Sequence, residues 1–439
     1  MSSQLESSEH SYTREFYFIS DLHIGGDAEL DICDFEAELI IFLRFLETRD
    51  KRTELIIVGD FLGMWEMSET SPEDKVRHVI STHKELFRHF KCTGKSIRIT
   101  VIPGNHDHEL ACYRHFKEEL ADYNIRLQPK EHISRTLKGK KIWITHGSQQ
   151  DSYNRIEHFG NPHDKPIGYH TTNRVIRNAV VHSSFGKEQW LRDMRSVSPD
   201  EHIPNWLFSN YFYHEMSPLL RLVILPFVFM FGITILLLLA AFAEWSIFGT
   251  HMISFQLTRR LGVFGTLLNM IFIVDIALLI IFTLTLIPLE FLLLDLKRTL
   301  RRYGFKAEDN LSAYKEQQHI AHAQDVCRRK RKVALYVHGH THVPSLHKEE
   351  GCVVINTGTW VKQLTRVRSR FRLLPSVFFP SYNLGYFRVY DTKESIVIEY
   401  DRIDKEADTS LTLLQWISIF GRRRNMVHRI PPCTIIKIE

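Results

Sequence analysis

Between residues 16 and 145, short apolar runs alternate with amphipathic stretches. Residues 16–19 predict a strand that ends at Asp21, and residues 55–58 one that ends at Gly59-Asp60. Residues 97–102 run into Pro103-Gly104, and residues 142–145 into His146. Between them, Phe35, Leu39, Phe42, Leu43 and Leu46 fall at helical spacing within residues 33–49. Residues 72–90 predict another helix, with Pro72 in its first turn. Each strand hands over to a polar motif. In open α/β sheets ligands collect at the carboxyl ends of strands, so one sheet would bring these groups to one edge.

After Gly147 the pattern changes. Residues 150–218 are rich in His, Asn, Pro and aromatic side chains. Two apolar runs follow, over 222–243 and 261–294. The first, about 22 residues without a charge, would span roughly 33 Å as a helix, against a hydrocarbon core of about 30 Å. The second is interrupted by Asp275, Pro288 and Glu290. These runs predict a two-span transmembrane helical hairpin, with a pair of buried core helices as the bland reading. Asp275 would face a partner span or another subunit, or else lie near a membrane interface.

Strand-and-motif alternation resumes at residues 333–337 and 353–355, and residues 387–390 and 396–400 predict a late hairpin. The chain therefore divides into a tail (1–14), the first part of an α/β domain (15–150) and a connecting or lid segment (151–218). The hairpin (219–296), a basic helical return (297–332), the second part of the domain (333–405) and a C-terminal tail (406–439) follow.

The motifs carry the chemistry. In order they are Asp21-Leu-His23, Gly59-Asp60, Gly104-Asn105-His106-Asp107, His146-Gly147 and Gly339-His340-Thr341-His342. Mixed carboxylate, imidazole and amide ligands suit manganese, iron or zinc rather than calcium. Two such ions can share one carboxylate. Any single DxH or HxH is weak among 24 histidines; the ordered set is strong. Asp107 would either orient His106 or cap the helix beginning near Glu109. His338 would either orient a ligand histidine or serve packing.

This set resembles the calcineurin-like metallophosphoesterase family, over roughly residues 15–150 and 333–400. The resemblance implies a four-layer α/β/β/α sandwich around a dinuclear site. Asp21, His23 and His342 would hold one metal, and Asn105, His146 and His340 the other, with Asp60 bridging. His106 would stabilise the substrate phosphate or protonate the leaving group, with Asp60 and Asp107 counted beside it as catalytic. The cofactor would be two divalent ions, manganese first, with iron, zinc or magnesium as alternatives. The words Gly59-Asp60-Phe61-Leu62-Gly63-Met64-Trp65-Glu66, His146-Gly147-Ser148-Gln149-Gln150-Asp151-Ser152-Tyr153-Asn154 and Asn356-Thr357-Gly358-Thr359-Trp360 are similar to the UDP-2,3-diacylglucosamine hydrolase branch. This chain departs from that branch at His106 and Ser148, where the branch has Arg and Asp.

Composition adds a setting. The chain has 439 residues, is 44% hydrophobic and carries a net charge of +5. Mild basicity suits an anionic substrate or membrane face. The six cysteines are scattered and form no CxxC pair, and thiols without a disulfide framework favour a reducing compartment. No secretory signal is read at the N-terminus. Lys297, Arg298, Arg301 and Arg302 beside the second run, with Arg221 before the first, place the catalytic halves in the cytoplasm of an integral membrane protein. Basic segments at 361–374 and 422–424 would contact anionic headgroups or be solvated faces.

The expected function is hydrolysis of a phosphoester or pyrophosphate on a lipid-linked, membrane-proximal substrate, with the bilayer as partner. Self-association would run through the hairpin, and nucleic acid is not expected. The competing readings are a tethered phosphodiesterase or phosphatase for soluble nucleotides, and a non-catalytic metal-dependent membrane regulator.

Overall fold

A computed structural model of the chain describes residues 13–27, 30–170, 172–173, 192–197, 202–249, 260–302, 311–349, 351–370, 374–407, 410–421 and 430–437. Strands β1 (Glu15–Ile19), β2 (Thr53–Val58), β3 (Arg98–Ile102) and β4 (Ile125–Leu127) pair in parallel. Strands buried on both faces read as unbroken apolar runs, which is how β1 and β2 stand in the sequence. The two strands of a second sheet, β5 (His132–Leu137) and β6 (Lys140–Thr145), form a hairpin. β6 then pairs in parallel with β7 (Val333–His338), with Ile142 opposite Leu335. Everything between His146 and Lys332 is thus inserted between two neighbouring strands.

The second sheet is completed by β8 (Ser345–Glu349) and β9 (Cys352–Asn356), in the order β5-β6-β7-β9-β8. A separate hairpin joins β10 (Gln363–Val367) to β11 (Val377–Ser381). β12 (Leu384–Asp391), β13 (Ser395–Ile403) and β14 (Cys433–Lys437) return to the first sheet, giving β14-β13-β12-β1-β2-β3-β4.

Alternation along each strand sorts side chains between two cores. Phe16 and Phe18 of β1, with Ile56 and Val58 of β2, face Ile144, Leu335 and Val337 between the sheets. Tyr17, Ile19, Leu55 and Ile57 point the other way, onto helices α1 (Glu36–Glu47), α2 (Lys75–Thr82), α3 (Lys84–Ser96) and α4 (His115–Ala121). Each large apolar side chain fully buried this way contributes roughly 1.5–3 kcal/mol. The helix expected over 72–90 is broken between α2 and α3. His83 leaves helical geometry there, and its ring nitrogens lie 2.9 Å from Asp31 and 2.8 Å from Glu36.

The apolar runs form helices α5 (Pro218–Phe248) and α6 (Val263–Arg302). Crossing a bilayer takes about 20 consecutive, predominantly apolar residues. Among the described residues, no helix is long and apolar enough to cross a membrane. The two-span transmembrane hairpin expected over 219–296 is thereby overturned, and with it the placement as an integral membrane protein with a cytoplasmic catalytic domain. Counting residue types along the sequence missed what the polar positions do. Thr234 Oγ1 donates to Asp275 Oδ2 at 2.7 Å, and both side chains are buried, so they join the two helices to each other. Pro288, Glu290 and Asp295 break the apolar run further along, within a continuous α6. Outward side chains such as Leu236, Phe242 and Ile273 are exposed. The bilayer and the self-association expected through the hairpin lose their basis together.

Helix α7 (Leu311–Arg329) covers the outer face of the second sheet, packing Ala323 and Val326 on Tyr336 and Val354. Cys327 of α7 is disulfide-bonded to Cys352 of β9, a pairing their spacing did not announce. The basic run at 422–424 and most of the N-terminal tail lie outside the described residues.

Candidate metal centre

The loops leaving β1, β2, β3, β6 and β7 meet at one edge. Leu22 N and His23 N donate to Asp60 O at 2.9 and 3.0 Å, so the loops after β1 and β2 continue the pairing of their strands. Gly339 N donates to His146 O at 2.9 Å and ties the loop after β7 to the loop after β6. Across the sheets, Thr359 Oγ1 donates to Asp21 O at 2.7 Å. Backbone contacts thus fix where the side chains start.

Five of the expected ligands, Asp21, His23, Asp60, His340 and His342, have φ between 45° and 71°. That left-handed region costs a non-glycine residue roughly 1–3 kcal/mol, and such strain clusters at functional sites. Two motif glycines have a packing reason. A Cβ on Gly59 would collide with the His146 ring, and one on Gly104 with the Asp60 carboxylate and its backbone nitrogen.

The side chains form three overlapping groups whose potential ligand atoms lie within 4.8 Å of one another: Asp21, His23 and His342; His23, Asp60 and His106; Asp60, His146 and His340. Asp60 Oδ2 is 3.2 Å from His146 Nε2 and 3.7 Å from His23 Nε2. Asp60 Oδ1 accepts from His106 N at 2.8 Å. Asn105 Oδ1 lies 3.1 Å from His146 Nε2. On the other side, His342 Nε2 is 3.3 Å from both Asp21 Oδ1 and His23 Nε2.

Burial sets the electrostatics. It opposes ionisation of Asp60, yet His146, His106 and His23 hold that carboxyl well below its usual range. Asp21 is likewise pushed up by burial but held at about 2 by His146 and His342. His146 would be pushed down by burial, but Asp60 and Asp21 raise it to about 10. His23, buried and facing His106, falls to about 3. Negative charge and imidazole nitrogens are therefore packed together out of water.

These residues fit divalent metal ions. Asp21 Oδ1 is buried without a hydrogen-bond donor, beside two imidazole nitrogens that face each other. A cation would satisfy all three, and the mixed oxygen and nitrogen set is that of manganese, iron or zinc. His146 Nδ1 lies 2.9 Å from Val58 O, so that nitrogen carries the proton and leaves Nε2 for the site.

Asp107 stands apart from the other expected residues. Its carboxylate accepts from Gly104 N at 2.6 Å, Phe61 N at 2.7 Å and Leu62 N at 3.2 Å. Burial and the nearby Asp60 raise it to about 7. It clasps the loops after β2 and β3 from behind. His338 is fully buried, stacked on His319 with ring centroids 4.8 Å apart.

The groups that support the ligands were harder to read. His106 stacks on Trp65 with centroids 3.9 Å apart, and its Nδ1 lies 3.1 Å from Glu66 Oε1. Glu66 also pairs with Arg195, a residue of the insertion. Burial would raise the Glu66 carboxyl, but Arg195 and His106 hold it at about 2. Asp151 Oδ2 is 3.1 Å from His340 Nε2 and 3.0 Å from Lys315 Nζ of α7. Glu66 closes one of the motif words noted above, and Asp151 lies within another. Arg195 and Lys315 carry no local signal at all.

Residues 15–237 match the calcineurin-like phosphoesterase family, so the match ends before the fifth motif. No curated protein matches the chain. Among solved structures, the chain is similar to a conserved uncharacterized protein, a predicted phosphoesterase from Streptococcus pneumoniae TIGR4. The identity is 11% and the TM-score 0.27, covering 91% of this chain and 94% of that one. It is also similar to Vacuolar Protein Sorting 29 from Cryptosporidium parvum, at 11% identity and TM-score 0.28, covering 90% and 93%. A third is the phosphopantetheinyl hydrolase of Mycobacterium tuberculosis, at 10% identity and TM-score 0.24, covering 79% and 90%.

Proposed function

Because the chain belongs to the calcineurin-like phosphoesterase family, and so is a hydrolase of phosphoesters, we propose that this edge holds two divalent ions and hydrolyses a phosphoester there. Asp21, His23 and His342 hold one ion, and Asn105, His146 and His340 the other. Asp60 is shared, and manganese is the first candidate for both. The observation that carries this reading is the position of Asp60, whose carboxylate belongs to two of the three ligand groups.

Such ions, when bound, supply positive charge to phosphoryl oxygens and lower the pKa of water. The chain does the rest. Asp60 is locked by the His106 backbone, so its two oxygens keep separate directions. Glu66, ionised and acceptor-only, accepts a hydrogen bond from Nδ1–H of His106 and leaves Nε2 for the substrate. Trp65 holds the ring from one face. An imidazole so fixed can stabilise charge on the phosphate or give a proton to the leaving oxygen.

A lipid-linked substrate rested on the hairpin and on the looser resemblance to the UDP-2,3-diacylglucosamine hydrolase branch, and with the hairpin overturned it is not carried forward. The substrate proposed is a phosphoester with a good leaving group, and bis(p-nitrophenyl) phosphate is the probe. Purified full-length protein with Mn²⁺ should cleave it and contain about two metal ions per chain. Asp60→Ala should lose at least about a thousandfold in kcat/KM, together with bound metal. Full activity in that variant sinks the shared-carboxylate reading.

A further inference from the structure

At the other end of the seven-stranded sheet lies a cleft of about 480 Å³. Lys51, Lys95, Arg98, Lys117 and Arg126 line it, and no carboxylate does. The five come from five places: the turn before β2, the end of α3, the start of β3, α4, and β4. β3 separates this cleft from the loop carrying Asn105. Five residues at about 3.4 Å put the two roughly 17 Å apart.

The charge is not what composition dictates. The chain has 56 basic and 51 acidic residues, so carboxylates should be interspersed. Neighbouring surface arginines follow that rule: Arg52 holds Asp50, Arg77 holds Asp74 and Glu119, and Arg88 holds Glu85. Among the described residues, none of the five cleft cations has an ion pair. Like charges gathered in a concavity repel one another and focus a positive field, which a bound anion relieves. The floor adds neutral donors, the half-buried Ser96 and Gln128, over buried Ile97, Ile125 and Leu127.

We propose that this cleft binds a multiply charged phosphate chain, free or carried on a nucleoside. Its volume is that of a small-molecule site, where pockets run from about 300 to 1,000 Å³. Five cations exceed what a single phosphate needs and match a run of linked ones. The cations can each make charge-assisted hydrogen bonds to phosphate oxygens. The proposal does not depend on the hydrolytic reading, since no residue is shared.

The test is calorimetric titration of tripolyphosphate, and of a nucleoside triphosphate, into full-length protein carrying Asp60→Ala, which disables the other phosphate site. Saturable one-to-one binding that weakens with salt is expected. Adding Lys95→Ala, Arg98→Ala and Arg126→Ala should weaken it about a thousandfold, at roughly tenfold per cation removed. The same three changes in otherwise unmodified protein should leave cleavage of the aryl diester unchanged. A second variant, Lys51→Glu with Lys117→Glu, should weaken binding as well, which separates charge from any local misfolding. Equal affinity for both ligands assigns recognition to the phosphates, and a tighter nucleoside triphosphate adds a role for the apolar floor. The proposal is overturned by absence of saturable binding, by binding indifferent to both variants, or by binding confined to duplex DNA or anionic vesicles.

Discussion

The two ends of the seven-stranded sheet are built on different terms. At the carboxyl ends of β1, β2 and β3 the ligands sit on strained backbone, locked by hydrogen bonds between loops. Glycines there leave no room for a Cβ. At the amino end the cations are long, exposed side chains on ordinary strand, helix and turn positions. Geometry fixes the first end, and summed charge the second. Single substitutions should therefore be decisive at the carboxyl end and graded at the amino end.

The largest effect belongs to Asp60→Ala, which removes the carboxylate common to two ligand groups. Next comes Gly104→Ala. The added methyl must displace the Asp60 carboxylate or its backbone, and such overpacking costs roughly 1–3 kcal/mol. We expect bound metal and kcat to fall at least tenfold while far-ultraviolet dichroism stays native. Unchanged metal content would mean the loop can give way, and the contrast between the ends would weaken. Glu66→Gln follows. It keeps the shape but loses the charge beside His106, so kcat should drop about ten- to a hundredfold with KM little changed. A change in KM alone would make Glu66 a prop for the insertion through Arg195, not for His106. At the amino end, Lys95→Ala alone should weaken tripolyphosphate roughly tenfold and leave kcat as it was.

The same contrast explains what the sequence disclosed. Asp21, Asp60 and Asn105 were legible because each follows an apolar strand, and strand direction carries them to one edge. That the domain is split around an insertion was legible because the strand-and-motif pattern resumes after it; the pairing of β6 with β7 came from the structure. Glu66, Asp151 and Lys315 act through space on His106 and His340; Glu66 and Asp151 fall inside motif words that did not announce this role, and nothing in the local pattern marks Lys315. Asp107 looked catalytic from its place beside His106. Its carboxylate turns instead to three backbone amides, a direction that sequence adjacency does not encode. The apolar runs misled for a related reason. Hydropathy counts residue types, whereas the partner of Asp275 is Thr234 on another helix. The basic cleft assembles from four stretches of chain, around residues 51, 94–98, 117–121 and 124–128, so it has no linear signature either.

The smallest expected effect tests whether the two ends share one scaffold. Helix α3 runs from His83 at its start to Lys95 near its end, so it connects the two regions. His83 is pinned between Asp31, in the segment after the first motif, and Glu36 of α1. Burial would lower its pKa, but the two carboxylates outweigh that and raise it. A raised native pKa means the folded state holds the proton more tightly than the unfolded chain. The resulting stability is fully present below the unfolded value of about 6.5 and is lost as pH rises through the native one. Because Asp31 and Glu36 are partly exposed, solvent screening limits the contribution to about 1 kcal/mol. His83→Gln should therefore lower the denaturation midpoint near pH 6, and the gap to the parent should close toward alkaline pH. Tripolyphosphate affinity and aryl diester turnover should both stay within about twofold, since neither end loses a contacting group. A gap independent of pH would assign His83 to packing. A loss confined to one end would show that α3 does not hold the two regions as a common frame.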